Sequence, residues 1–313
     1  MNKLYAACTA LLVGGLTATP AHLHAEDATH RVTAPQGGVA RWSGEAAAHC
    51  GIYGRRYPAI EGVCYYPVDL AAKPGLHDIA LWNAKGERKT GSLMVQKADF
   101  PSVDMVLPES MQAYLDPPKD ARARAARERT QVVRILDGED APARFTLPLE
   151  SPVANLPSSE DDFGSIRRFG EGHRSLHTGR DYPVSSGTPL RAVADGRVVL
   201  ADDHYYSGKS VFVDHGGGLV SMLFHLDKID VKPGDSVTRG QALGTVGATG
   251  RATGPHLHIG LRWLGKRIDP ALLLAPPASL PGVSDTRAEA QSKIQRAERR
   301  DVDEGDQQVD DEE

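Results

Sequence analysis

The chain has 313 residues, 40% hydrophobic and 25% charged, an ordinary globular balance with length for about two domains. Its formal charge of −5 excludes the strongly basic signature of a nucleic-acid binder. With 32 glycines and 6% aromatic residues, the composition favours many turns and short strands over long helices.

Residues 1–25 read as a secretory signal. Lys3 supplies a positive end, Tyr5 to Thr17 an apolar run, and Leu23-His24-Ala25 a candidate cleavage site. The run is short for a membrane span, and no other stretch has the length and apolarity for one. Removal of the signal leaves Cys50 and Cys64, a pair expected to form a disulfide. The loop it closes is short, worth roughly 3 kcal/mol in the chain-entropy account.

Residues 26–105 are expected to form a small β domain. Val63 to Leu70, Leu76 to Trp82 and Gly91 to Lys97 are β-rich runs, with Pro74-Gly75 and Ala84-Lys85-Gly86 as turns between them. Several short strands and a disulfide suggest an immunoglobulin-like sandwich. Residues 106–140 read as a helical linker. Pro117-Pro118 leads into an arginine- and alanine-rich stretch, and Val132, Val133, Ile135 and Leu136 give it an apolar end. This helix is expected to bridge two domains, with its arginines on a solvated face.

Residues 141–275 carry the chemistry, since seven of the 12 histidines lie between His173 and His258. In His177-Thr178-Gly179-Arg180-Asp181 an imidazole and a carboxylate stand four apart. Gly179 and Pro183 argue for a looped or extended segment there. Runs at Leu190 to Ala194, Gly196 to Ala201 and Ser210 to Asp214 read as strands. His215 is expected to order a glycine-rich turn, and His204 to sit in an exposed loop. In the strand Leu219 to Leu226, alternation puts Leu219, Ser221, Leu223 and His225 on one face. Val220, Met222, Phe224 and Leu226 fall on the other. Residues 231–244 look like a turn-and-strand unit of lipoyl and biotinyl carriers, but Lys232 lies beside Pro233 rather than at a hairpin tip.

Gly254 to Trp263 reads as the central strand. Alternation places His256, His258, Gly260 and Arg262 on one face and Leu257, Ile259, Leu261 and Trp263 on the other. The second face suits a core; the first carries two imidazoles that a core does not need. His177, Asp181 and His258 would together give two imidazoles and a carboxylate, leaving the open fourth position that a catalytic zinc requires. His225 is a candidate acid–base residue.

These motifs occur in order: His177-x-x-x-Asp181, Gly187-Thr188-Pro189 with Ala194-Asp195-Gly196, His225-Leu226, Gly247-x-x-Gly250 and Gly254-Pro255-His256-Leu257-His258. The pattern, from about Phe163 to Leu274, resembles the lysostaphin-type (LytM-like) zinc metallopeptidases. The resemblance implies a mainly β protein whose antiparallel β-sandwich, barrel-like, has an open groove. It assigns zinc to His177, Asp181 and His258 and catalysis to His225 and His256. It further implies a secreted or periplasmic endopeptidase acting on the stem-peptide cross-links of peptidoglycan. Many members carry a tyrosine where this chain has Leu223. The alternative function is a non-catalytic wall-binding module or amidase activator, with a regulatory protein as partner. Residues 276–313 read as a disordered acidic tail, with eight acidic and no basic residues from Asp301 to Glu313.

Overall fold

The computed structural model describes residues 30–44, 46–137, 141–159, 163–170 and 172–285. The signal expected in residues 1–25 and the acidic run from Asp301 lie outside the described residues. The first strands are β1 (His30–Pro35), β2 (Val39–Trp42), β3 (Ala47–Ile52), β4 (Arg55–Pro58), β5 (Cys64–Pro67), β6 (Gly75–Asn83), β7 (Arg88–Gln96) and β8 (Ser102–Asp104). Helix α1 (Lys119–Leu136) follows. Next come β9 (Ile166–Phe169), β10 (His173–Leu176), β11 (Arg180–Tyr182), β12 (Pro189–Arg191), β13 (Gly196–His204), β14 (Gly208–Asp214) and β15 (Leu219–Ile229). The chain continues through β16 (Ser236–Val237), β17 (Ala242–Val246), β18 (Leu257–Trp263), β19 (Lys266–Ile268), α2 (Pro270–Leu274) and β20 (Ser284–Asp285).

The first region is a pair of sheets. One runs β20-β1-β7-β6-β3-β4, with β1 and β7 parallel, and the other is the pair β2-β5. The Cys50–Cys64 disulfide joins β3 to β5, with Cα atoms 5.4 Å apart. Two tyrosines add ties in the same direction. The Tyr57 hydroxyl donates to the Tyr65 carbonyl at 2.6 Å, and the Tyr66 hydroxyl to the Ala80 carbonyl at 3.0 Å. Val32 and Ala34 point inward from β1 while their neighbours are exposed, the alternation of a half-buried strand.

The second region is one branched sheet of nine strands, with the path β11-β18-β15-β14-β13-β16 and β12, β17 and β19 joined at its sides. It does not close, which corrects the barrel-like expectation. The reason lies in β15. Its first half, Leu219 to Phe224, pairs with β18, and its second half, Leu226 to Ile229, pairs with β17. A bulge lies between them: Lys209 faces Leu226 while Val211 faces Leu223, one residue more on β15 than on β14. The strand therefore belongs to two layers, and a core forms between them.

The bulge also overturns the simple alternation read for this strand. Leu226 packs in the same cluster as Leu219 and Leu223, whereas Val220, Met222 and Phe224 pack in another. For β18 the alternation holds. Leu257, Ile259, Leu261 and Trp263 all enter the main core.

Helix α1 does not stand between two bodies. Val132, Ile135 and Leu136 pack against Leu200, Phe212, Val220 and Met222 on the outer face of the nine-stranded sheet. Glu128 accepts from the Tyr205 backbone N–H at 2.8 Å. Val133 stays half exposed, at 50%. The two regions share one buried cluster, in which Tyr65 lies 5.6 Å from Trp263 between ring centres. Residues 276–285, expected to be disordered tail, are structured. Leu280 is buried, the Arg41 N–H donates to the Pro281 carbonyl, and β20 pairs with β1. Leu280 supplies the buried apolar anchor for this return, and Val283 packs beside the same core.

Candidate metal centre

Three neighbouring pieces of backbone bring the candidate ligands together. Asp181 on β11 and His258 on β18 are direct cross-strand partners. His177 follows the end of β10, and its N–H donates to the Ser165 carbonyl at 2.9 Å. Between them, Gly179 leaves the room they need. A side-chain carbon there would meet the Ile259 carbonyl oxygen and lie 2.6 Å from His258 Nε2. On the far side of His258, β15 supplies Phe224 as cross-strand neighbour. Its ring stacks on the His258 imidazole, 4.7 Å between centres and 3° from parallel.

The ligand atoms converge. His177 Nε2 lies 3.1 Å from His258 Nδ1 and 3.2 Å from Asp181 Oδ1, and His258 Nδ1 lies 2.7 Å from the same carboxylate oxygen. A tetrahedral zinc with bonds of about 2.0–2.1 Å asks for ligand atoms roughly 3.3 Å apart. The triangle is close to that size, and two imidazole nitrogens with one carboxylate oxygen are a donor set zinc accepts. The second Asp181 oxygen accepts from Arg167 Nη2 at 2.6 Å, which holds the carboxylate turned with Oδ1 toward the histidines.

Electrostatics keep this cluster in its ligating forms. Burial would raise the Asp181 pKa, but hydrogen bonds from His177 and His258 prevail and hold the carboxyl far below its usual range. Burial pushes the His258 pKa down against the pull of Asp181, which favours the neutral ring, and its Nδ1 must give up the hydrogen bond to Asp181 before it can ligate.

His225 and His256 stand beside the triangle. Their ring centres are 5.0 Å apart, and His225 is 6.0 Å from His258. His225 sits in the β15 bulge with φ +62°, a left-handed backbone that a non-glycine residue rarely takes. This twist turns its side chain toward the groove that regular pleating would have denied it. His225 Nδ1 lies 2.8 Å from the Thr249 carbonyl, and His256 Nδ1 lies 2.9 Å from the Gly254 carbonyl. A carbonyl only accepts, so both Nδ1 atoms donate there, and in the neutral form of each ring Nε2 is the acceptor. His256 Nε2 lies 3.6 Å from Asp181 Oδ1. Burial, then the neighbouring His258, lowers the His225 pKa to about 3.

These groups line an open groove of about 770 Å³ with Met105, Leu107, Arg167, Phe169, Tyr206 and Arg251 among its walls. It brings three potential metal-ligand atoms together, with two imidazoles beside them whose Nε2 atoms are acceptors in the neutral tautomer. His215 lies elsewhere, fully buried, with Nδ1 at 2.8 Å from the Asp195 carbonyl and Nε2 at 2.8 Å from Ser221 Oγ. That is the turn-ordering role read for it. His204 is buried rather than exposed and does not line the groove. Leu223 is buried in the main core and not in the groove wall. Sequence reasoning missed Phe224, Arg167 and Arg251. Phe224 was assigned to the opposite face from His225, and only the bulge brings both to His258.

Comparison with known proteins bears on the same stretch. The profile of peptidase family M23 matches residues 175–270. Similar curated proteins include the peptidoglycan DD-endopeptidase ShyA of Vibrio cholerae, 42% identical over 103 residues, 33% of this chain and 24% of that protein. Another is the DD-carboxypeptidase/endopeptidase Mpg of Neisseria meningitidis, 38% identical over 105 residues, 34% of this chain and 24% of that protein. The chain thus spans about a quarter of the length of these relatives. A crystal structure from Pseudomonas aeruginosa assigned to peptidase M23 is similar over 76% of this chain and 94% of its own, with 31% identity and a TM-score of 0.58.

Proposed function

The chain belongs to peptidase family M23, and from that premise we propose that it is a zinc-dependent endopeptidase that cuts peptide cross-links of peptidoglycan. The observation that carries the reading is the convergence of His177 Nε2, Asp181 Oδ1 and His258 Nδ1 on one point beside two acceptor imidazoles.

In this reading His177, Asp181 and His258 hold the zinc. Bound there, zinc supplies Lewis acidity for the scissile carbonyl and lowers the pKa of the attacking water toward about 7. The two proton movements of amide hydrolysis fall to the chain's own side chains. His225 and His256 stand side by side, and whichever Nε2 takes the proton of the water is then the group that can hand that same proton on to the leaving amine. The Thr249 and Gly254 carbonyls fix both rings, so the acceptors need no reorientation when substrate arrives. Phe224 and Arg167 hold the two ligands His258 and Asp181 in place.

An open groove suits an extended polymer better than a small ligand. The candidate signal in residues 1–25 supports a secreted or periplasmic location, where peptidoglycan lies. Among the described residues no helix is long and apolar enough to cross a membrane. The division into a small β domain, a helical segment and a peptidase domain remains our reading of the chain. The complete five-residue set favours catalysis over a docking-only role.

The test is digestion of purified peptidoglycan with and without a chelator, with released fragments identified by mass spectrometry. Fragments from broken cross-links, lost on chelation and restored by zinc, are expected. Zinc-independent release, or none from zinc-loaded protein, overturns the reading.

A further inference from the structure

The groove differs in charge from the molecule that carries it. The chain has 41 acidic and 36 basic residues. Yet the charged residues lining the groove, histidines aside, are two arginines and one aspartate. The aspartate is Asp181, already joined to Arg167 at 2.6 Å. Arg251 is left over.

Three other arginines around the second region meet carboxylates. Arg180 reaches Asp269 at 2.6 Å, Arg267 reaches Asp69 at 2.6 Å and Arg168 reaches Asp104 at 2.8 Å. Arg251 has no carboxylate partner among the described residues. Its backbone N–H donates to the Tyr206 carbonyl at 2.8 Å, and its guanidinium lies 5.3 Å from the ring centres of both Phe169 and Tyr206. Both rings hold the group by cation–π attraction. Its N–H donors have no partner among the described residues and remain for a ligand. Partial burial lowers its pKa. A partly buried guanidinium without a counter-ion gains from an anion that enters the groove.

Its place in the chain links it to the chemistry. Arg251 lies on the connection from Gly247 to His256, whose ends pair as an antiparallel bridge, and two residues after Thr249, which anchors His225. Whatever Arg251 grips is held on the same wall as the two acceptor imidazoles.

We propose that Arg251 is a substrate-binding residue that receives a carboxylate of the cross-linked peptide, so that free-acid peptides are selected over their carboxamides. The planar fork of a guanidinium matches a carboxylate with two parallel N–H···O bonds, and a carboxamide offers neither the charge nor two acceptors. This inference rests on the peptidase reading above.

The experiment uses the zinc-loaded full chain and two synthetic cross-linked peptides, identical except that one bears free carboxylates and the other carboxamides. Wild type is expected to favour the acid by roughly 10–100-fold in kcat/KM, mostly through KM, the scale of a lost buried charge pair. Arg251→Gln should bring the acid-to-amide ratio close to one with zinc content kept. Arg251→Met, which keeps an apolar stem between the rings, should do the same. Arg251→Lys should restore part of the ratio, since charge returns without the fork. No preference in wild type, or a preference that survives both Arg251→Gln and Arg251→Met, overturns the inference. If wild type cuts neither peptide, the peptidase reading falls, and calorimetric binding of the two peptides to wild type still decides for Arg251. Tighter binding of the acid supports it and equal binding overturns it.

Discussion

The paired sheets of residues 30–96 and the groove around His258 are both made of short strands, yet they treat polar groups in opposite ways. In the first region the buried Tyr57 and Tyr66 hydroxyls each reach a carbonyl, and a disulfide joins the two sheets. At its border with the second region Asp69 and Arg267 satisfy each other. Burial opposes the Asp69 charge, but hydrogen bonds from Arg267 outweigh it and bring the carboxyl pKa to about 2. In the groove, ligand-type atoms of three side chains crowd one point, a histidine takes φ +62°, and an arginine waits between two rings. The first region is finished by its own contacts, whereas the second is finished by what it binds.

The hardest blow to this contrast falls on the ligands. Asp181→Ala or His177→Ala should remove bound zinc and at least about 10³-fold of activity, read by metal analysis and wall digestion. His256→Ala should keep zinc and lose roughly 10²–10⁴-fold of turnover. Full activity in either ligand variant would end the metal assignment. Next comes Gly179→Ala, whose added carbon presses on His258 Nε2. Zinc affinity should drop by about 10–100-fold, with the Cys50–Cys64 region unchanged by its circular dichroism.

Replacing Cys50 and Cys64 together by alanine should act on the other side of the comparison. A loss of about 2–4 kcal/mol in urea unfolding is expected, with zinc stoichiometry intact in the folded protein. Loss of zinc at full folding would mean that the regions are not separable in this way. The last test concerns protons. In metal-free protein the folded His225 pKa is about 3, against 6.5 for the ordinary side chain. Between those values the unfolded chain holds more protons, so stability is complete above about 6.5 and falls as pH drops toward 3. His225→Gln should flatten that slope in urea midpoints taken from pH 7 to pH 4, and an unchanged slope would assign it to other groups.

Much of the site could be read from one dimension because its parts are local. The alternation from Leu257 to Trp263 survives in the fold, and so the sequence alone puts His256 and His258 on one face. Gly179 between His177 and Asp181 already argued against a helix, and the structure adds that its missing side chain clears His258. The disulfide needed only the count of cysteines. What could not be read depends on pairing between distant strands. The β15 bulge exists because Leu226 follows β17 while Phe224 follows β18, and neither partner is visible in residues 219–229. The seat of Arg251 needs Phe169, Tyr206 and residue 251, three separate segments. The docking of α1 was missed for the same reason, since its apolar end looks alike whether it meets a sheet or spans a gap.

The pairing of β20 with β1 has a consequence for how the molecule is assembled. Residues 284 and 285 complete the border of a sheet begun at residue 30, so the catalytic sheet is threaded between two strands that lie side by side. During synthesis the first strand must wait, with its outer amides and carbonyls open to water or to a neighbour, until every ligand and both acceptor histidines have been made.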